Sequence, residues 1–439
     1  MKLFHRTSYL KKLRPFYDSD LIKVVTGIRR CGKSCLLKTV IEELRGAGIE
    51  ESRIAYLDLD ARGNRKITTP DQLDTLIEQS INLGLPGTKY LFIDEVQNVS
   101  GFEKVINGYR EEGDISIFIT GSNSYLLSGE LATKLTGRYI EIEMFTLSFA
   151  EYLEMKKFLG RTLSPTAQEF DEYLTYGGFP QTLEFTDAQA KADYIESVVA
   201  QIFDKDIREH SKVRNKEAFD RVLTYVINNF GAPTNFGNME EHFRNVENIA
   251  IRRETIARYV DLLINAKILY KCERFDLKSR KSLRGDEKYY LADPGIYFAR
   301  NTDARINYGP ALENVLFVYL KTQGLRISVG RIGKLECDFI VRKREDYAYI
   351  QVSMTIADRN VEEREYRPFS KIKDAYPRYL FTLDPLLQKR DGVKHLNLLQ
   401  FLEEQGEILQ PPPPSGTVRC PPAKQSSRAR LRPGSTAFP

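Results

Sequence analysis

Gly27 and Gly32, followed at once by Lys33 and Ser34, constrain this chain more than any other stretch. Between the glycines run Ile28, Arg29, Arg30 and Cys31, and Cys35 opens a run to Val40 that reads as a helix. The preceding residues Leu21 to Val25 are mostly apolar and β-branched, as a strand buried on both faces requires. A strand, a glycine-bounded loop and a helix start in immediate succession make a phosphate-binding loop. The backbone N–H groups of residues 27–35 converge on anionic oxygens, and the helix adds its positive N-terminal end to the same point. In that geometry Lys33 reaches the terminal phosphates and the Ser34 hydroxyl ligates Mg²⁺.

A second signal lies about sixty residues on. Tyr90-Leu-Phe-Ile-Asp94-Glu95 is an apolar strand ending in two acids. Beside a phosphate loop, the first acid, Asp94, supports the Mg²⁺, and the second, Glu95, polarises an attacking water. Asp114 to Asn123 reads as a strand opening into a polar turn. There Ser122 and Asn123 either sense the terminal phosphate or form a turn that satisfies its own backbone. Arg138, just ahead of a fifth strand over 139–144, is either a transition-state arginine, in cis or from a neighbouring copy in a homo-oligomer, or a surface ion pair. With Arg53 to Asp60 as a further strand, five strands alternating with helices predict a parallel, doubly wound sheet covered on both faces.

Thr26–Ser34, Phe92–Val96, Thr120–Asn123, Leu135–Arg138 and Tyr176-Gly-Gly-Phe-Pro180 together resemble a widespread prokaryotic family of AAA-type ATPases. Members of that family carry a winged helix and an uncharacterised C-terminal domain similar to restriction endonucleases. The resemblance covers about residues 5 to 405 and implies ATP and Mg²⁺ as cofactors. The choice of ATP over GTP rests on it and on the absence of a convincing Asn-Lys-x-Asp guanine reader.

The expected division is an ATPase core over 1–160, headed by a short amphipathic helix that packs as a lid on the sheet, and then a helical lid or linker over 161–214. Within the linker, Tyr176 to Pro180 makes a fixed turn, with a hinge as a further option. A winged-helix module spans 215–304, an endonuclease-like α/β domain 305–407, and a tail 408–439. In the winged-helix module a helix over Arg252 to Asn265 precedes paired strands, Lys267 to Phe275 and Lys288 to Ala292. Arg252, Arg253 and Arg258 on the helix and Lys278, Arg280, Lys281 and Arg284 at the hairpin tip suit either nucleic-acid phosphates or a protein partner. In the C-terminal domain Glu313 and Asp338 match the first two acids of an endonuclease, but Gln351 and Ser353 stand where a second-strand acid and a lysine belong. That departure argues against DNA cleavage and for a retained binding scaffold.

Charge narrows the partner classes. Of 65 basic residues, Arg419, Lys424, Arg428, Arg430 and Arg432 fall after residue 410 with no acid among them, which leaves 60 against 60 acidic residues in the rest of the chain. Any nucleic-acid footprint is therefore a local patch. The tail holds eight of nineteen prolines and reads as disordered. Five cysteines with no C-x-x-C pair imply neither a disulfide framework nor a zinc ribbon. With no apolar run of membrane-spanning length and no signal peptide expected, a cytoplasmic protein is predicted. The sequence thus reads as a Mg²⁺-dependent ATP-binding protein that hydrolyses ATP and couples its nucleotide state to C-terminal modules. A nucleotide-gated scaffold with little turnover is the alternative, and a Mg²⁺-dependent nuclease the third reading.

Overall fold

A computed structural model describes residues 2–122, 137–208, 213–279, 281–301 and 308–409. Asn123, Arg280 and the residues from 410 onward, each singled out above, lie outside the described residues.

The strands β1 (Ile22–Thr26), β2 (Ile54–Asp58), β3 (Lys89–Asp94), β4 (Ile115–Gly121) and β5 (Tyr139–Glu143) form a parallel sheet in the order β2-β3-β4-β1-β5. Alternation along the strands divides the core. Ile22, Val24, Leu57, Leu91, Ile93, Ile117 and Ile119 face the helices Pro70–Ser80 and Phe102–Glu111. Val25, Phe92 and Phe118 face the helices Lys33–Gly46 and Thr7–Leu13. The chain leaves β1 for β2, two strands beyond its neighbour β4, so a crevice opens at the carboxyl ends of β1, β4 and β3.

Tyr176 to Pro180 is a locked junction, because both its glycines are pinned. Gly178 N donates to Asp293 Oδ2 at 2.8 Å, while Leu147 N donates to Gly178 O at 2.8 Å. A Cβ on Gly177, whose φ is +69°, would sit 1.6 Å from Asp293 Oδ1.

Helices Lys216–Asn228, Phe236–Asn245 and Arg253–Asn265 precede a hairpin of β7 (Leu269–Asp276) and β8 (Lys281–Leu291), with β6 (Pro233–Thr234) beside β8. This helical region with its hairpin resembles a winged-helix module. The second hairpin strand is longer than the sequence suggested, starting at Lys281 and not at Lys288. The sheet also does not break at the expected 304/305 boundary. β7 pairs in parallel with β9 (Arg326–Ile332), and β9 continues through β10 (Leu335–Lys343), β11 (Asp346–Val352), β12 (Arg378–Thr382), β14 (Val393–Asn397) and β13 (Lys389–Arg390). The result is one nine-stranded sheet in the order β13-β14-β12-β11-β10-β9-β7-β8-β6. Phe275 packs in one cluster with Cys337, Ile340 and Tyr349. Ile408, expected at the head of the tail, is buried, and its carbonyl accepts from Tyr379 Oη at 3.2 Å.

Candidate nucleotide site

The loop between β1 and the helix Lys33–Gly46 carries the backbone conformations that its sequence demands. Gly27 and Gly32 have φ of +147° and +105°, and Arg30 adopts +66°. A Cβ on Gly27 would lie 2.1 Å from the Met144 carbonyl oxygen, so this close approach is open only to glycine. Cys31 is buried, and burial pushes its thiol pKa up. Lys33 is buried and its Nζ donates to the loop carbonyls of Gly27 at 3.1 Å and Ile28 at 3.3 Å. Ser34 and Cys35 follow on the first helical turn.

Asp94 ends β3 with 2% exposure and is held on both oxygens. Tyr56 Oη donates to Oδ2 at 2.8 Å, and Thr120 Oγ1 donates to Oδ1. Burial, and then the Asp94 charge, push the Tyr56 phenol pKa up, so it stays a donor. Glu95 adopts φ +55°, an uncommon conformation for a non-glycine residue that is fixed by its N–H donating to Thr120 Oγ1 at 3.0 Å. Its carboxylate accepts from Gln97 Nε2 at 2.5 Å.

Lys33, Ser34, Asp94 and Glu95 line one cavity of about 510 Å³, together with Arg29, Arg30, Asp58, Asp60 and Lys205. Its apolar lining includes Leu3, Phe4, Met155, Phe158 and Leu159, with Phe4 edge-on to Phe158 at 5.6 Å. The Tyr194 hydroxyl, also in the lining, is buried without a partner among the described residues.

No motif in the sequence marks Asp206. It sits on a π-helical turn, Ile202–Arg208, with 2% exposure, and its carboxylate takes Arg29 Nε at 3.0 Å and Nη2 at 3.1 Å. Burial works against the Arg29 charge, but the Asp206 bonds outweigh it and raise the pKa. Ser122 Oγ donates to Asp206 Oδ1 at 2.6 Å. Tyr56, Thr120 and Gln97 were also missed, although Gln97 lies only two residues after Glu95.

Arg138 is placed elsewhere. It precedes β5, at the end of the sheet away from the phosphate loop, roughly 15 Å along the strand. Its side chain is 41% exposed and bonds Asn107 Oδ1 at 2.9 Å and Glu111 Oε1 at 3.3 Å. It is therefore not among the residues assembled in cis at the cavity, because the amino end of β5 lies at the edge of the sheet opposite the carboxyl ends that form the cavity.

A second polar cluster lies where β8 meets the C-terminal strands. Glu313 Oε2 accepts from Lys288 Nζ at 3.3 Å and from Tyr290 Oη at 3.0 Å, and Lys288 also reaches Glu336 Oε1 at 2.9 Å. Asp338 N donates to Gln351 Oε1 at 2.7 Å, Val352 N donates to Asp338 Oδ2 at 2.8 Å, and Gln351 Nε2 donates to Glu365 Oε2 at 2.9 Å. Burial first, then the neighbouring Glu313 charge, push the Asp338 pKa well up. Gln351 thus spends its amide within the fold, and a lysine from the hairpin supplies the positive charge. Ser353 Oγ donates to the Thr355 carbonyl at 3.2 Å.

Arg252, Arg253, Arg258, Lys278 and Lys281 are exposed. No helix among the described residues is long and apolar enough to cross a membrane.

Comparison with known proteins accords with this geometry. An AAA domain matches residues 19–153, and a domain of unknown function (DUF8612) matches residues 167–304. An uncharacterized protein of Haemophilus influenzae is 33% identical over 404 residues, covering 91% of this chain and 98% of that protein. Another, of Methanocaldococcus jannaschii, is 28% identical over 369 residues, covering 80% of this chain and 79% of that one. Among solved structures, the Walker-type ATPase of Pyrococcus abyssi aligns at 15% identity and a TM-score of 0.48, covering 68% of this chain and 96% of that one. A likeness at that level carries no functional argument.

Proposed function

The chain belongs to the same family as the Haemophilus influenzae protein and carries an AAA domain, and on that premise we propose that it binds ATP with Mg²⁺ and hydrolyses it. An AAA domain implies a capacity for nucleotide binding; hydrolysis, the metal and the roles below are the proposal. What supports it is the gathering of Lys33, Ser34, Asp94 and Glu95 around one cavity at the carboxyl end of a parallel sheet.

The donor set suits Mg²⁺. Among the described residues no group of three or more His, Cys, Asp or Glu side chains is arranged to hold a metal by itself. A site of one hydroxyl, Ser34, and one carboxylate, Asp94, fits an ion that takes its other ligands from phosphate oxygens and water. When bound, Mg²⁺ would neutralise charge on the terminal phosphates. Lys33 releases the Gly27 and Ile28 carbonyls and turns to phosphate oxygen. Glu95, held through Gln97 and Thr120, accepts a proton from water. The apolar lining from Phe4 to Leu159 takes the base.

The exposed arginines of the helix Arg253–Asn265 and its preceding residue, together with Lys278 and Lys281, mark a surface for a nucleic-acid or protein partner. The endonuclease-like region acts as a scaffold, because Lys288 stands among its acids and Gln351 and Ser353 replace the expected acid and lysine. Trans action of Arg138 would need a homo-oligomer.

The test is phosphate release by the full chain, with and without duplex and single-stranded DNA. Wild type is expected to turn over, Glu95→Gln to bind ATP without turnover, and Lys33→Ala to do neither. A Lys33→Ala protein that binds and hydrolyses ATP like wild type refutes the reading. A turnover rate moved by DNA supports the nucleic-acid partner, and a rate indifferent to DNA favours a protein partner. Plasmid cutting abolished by Asp338→Ala would overturn the scaffold reading.

A further inference from the structure

Arg29 occupies an unusual place for a cation in a phosphate loop, since a carboxylate from a segment 177 residues away grips it from the side. The grip uses Nε and Nη2, so the planar fork is fixed in orientation while Nη1 has no partner among the described residues. The guanidinium lines the cavity beside Lys33 and Glu95. Asp206 does more than neutralise it. Its Oδ1 also accepts from Ser122 Oγ at 2.6 Å; Gln97 Nε2 donates to Ser122 Oγ at 3.4 Å and to Glu95 Oε2 at 2.5 Å. One buried carboxylate therefore joins the phosphate loop, the end of β4 and the water-polarising acid. The Gln97 Oε1 atom in this chain of contacts is buried and without a partner among the described residues, and the residue Gln97 lines a second cavity of about 360 Å³ with Arg29, Glu95 and Asp206.

We propose that Asp206 is a positioning residue for ATP hydrolysis: it aims Arg29 Nη1 at the terminal phosphate and, through Ser122 and Gln97, holds Glu95 at the water. This rests on the ATPase reading above. It gives the site a cis arginine where Arg138 cannot serve as one, and it makes hydrolysis conditional on the π-turn being seated, because that turn alone carries Asp206. Binding of the nucleotide depends on Lys33 and the loop backbone, so the loss of Asp206 acts on turnover.

The experiment measures phosphate release and binding of a fluorescent ATP analogue for full-length wild type, Lys33→Ala, Asp206→Asn, Arg29→Lys and the double variant Asp206→Asn/Arg29→Lys, with a thermal melt of each. Asp206→Asn is expected to lower kcat by about tenfold or more with KM and analogue affinity within about threefold, as for removal of an interaction made mainly in the transition state. Arg29→Lys, which loses the fork, is expected to do the same. The double variant should be no slower than the slower single one, because the two residues act as a unit. Wild-type kcat in Asp206→Asn, or a double variant whose losses multiply, overturns the inference while leaving the ATPase reading intact if Lys33→Ala is dead. A kcat loss matched by an equal loss of analogue binding and melting temperature assigns Asp206 to structure alone and overturns it as well. A wild-type chain with no turnover overturns both.

Discussion

Arg6 is the residue whose loss the structure prices most closely. It is 5% exposed and forms an ion pair with Glu151, with bonds of 3.1 and 2.5 Å; it also donates to the carbonyls of Cys31 at 3.2 Å, Phe145 at 2.6 Å and Thr146 at 3.1 Å. Replacing it with Met keeps the volume and removes every donor. Among the described residues Glu151 then stays buried with only Ser148 N and Ser8 Oγ for company, and breaking a buried pair in this way costs about 3–5 kcal/mol. At roughly 2 °C per kcal/mol for a chain of this size, the melting temperature should fall by roughly 6–10 °C. Burial opposes the Glu151 charge, but Arg6 outweighs it and holds the carboxylate pKa below its usual range. Stability from the pair is therefore complete above the ordinary carboxylate pKa and is lost as pH falls through the lowered one. Arg6→Met should flatten that acid limb. The decisive assay is a denaturant double-mutant cycle with Glu151→Met. The double variant is expected to recover part of the loss, since it removes the orphaned charge but leaves the Cys31, Phe145 and Thr146 carbonyls without their donor. A single-variant cost under about 1 kcal/mol, or a double variant no more stable than Arg6→Met, refutes the reasoning. ATP affinity in Arg6→Met should also fall, because the Cys31 carbonyl is part of the phosphate loop.

Two further outcomes can be checked by equilibrium unfolding. Lys23 is fully buried in β1 and burial lowers its pKa to about 7, so the unfolded chain holds that proton more tightly than the native one. Stability should climb between pH 7 and 9 by a few kcal/mol, and Lys23→Met should abolish the climb. Lys288→Met should cost about 3–5 kcal/mol at neutral pH by stranding Glu313 and Asp338. Much of that loss should return on acidification, because both acids already have raised pKa values through burial; a pH-independent loss would contradict this account.

The parts of the fold that could be read in the sequence were those in which chemistry and strand periodicity coincide within a dozen residues. The phosphate loop and the β3 end are of this kind, since their glycines, lysine and acids each answer a local backbone need. Asp206 is not, because nothing in Phe203-Asp-Lys-Asp206 distinguishes the inward acid from a solvated one until the π-turn is seated beside Arg29. Arg138 shows a different limit. Its neighbours in sequence suggested a phosphate role, but strand direction decides which end of β5 meets the cavity. The continuity of the sheet across the 304/305 boundary was illegible for a third reason. β9 contains Gly330, whose Cβ would press to 2.9 Å on both Cys337 and Ile340, and its Arg-Ile-Ser-Val-Gly-Arg-Ile run, though it alternates up to the glycine, does not announce which distant strand it pairs with.

The parallel seam of β7 with β9 has a mechanical consequence. Backbone bonds from Arg274 to Leu277 weld the hairpin to the C-terminal strands, so the basic tip and the acid cluster ride on one rigid plate. The hairpin therefore cannot move without the C-terminal strands. The plate in turn shares one buried core with the first sheet, in which Val25, Phe118 and Phe145 cluster with Tyr270, Phe317 and Leu398, and Lys267 bonds Glu143 at 2.6 Å. A partner bound at the tip would therefore be held at a position fixed by nine strands and not by two.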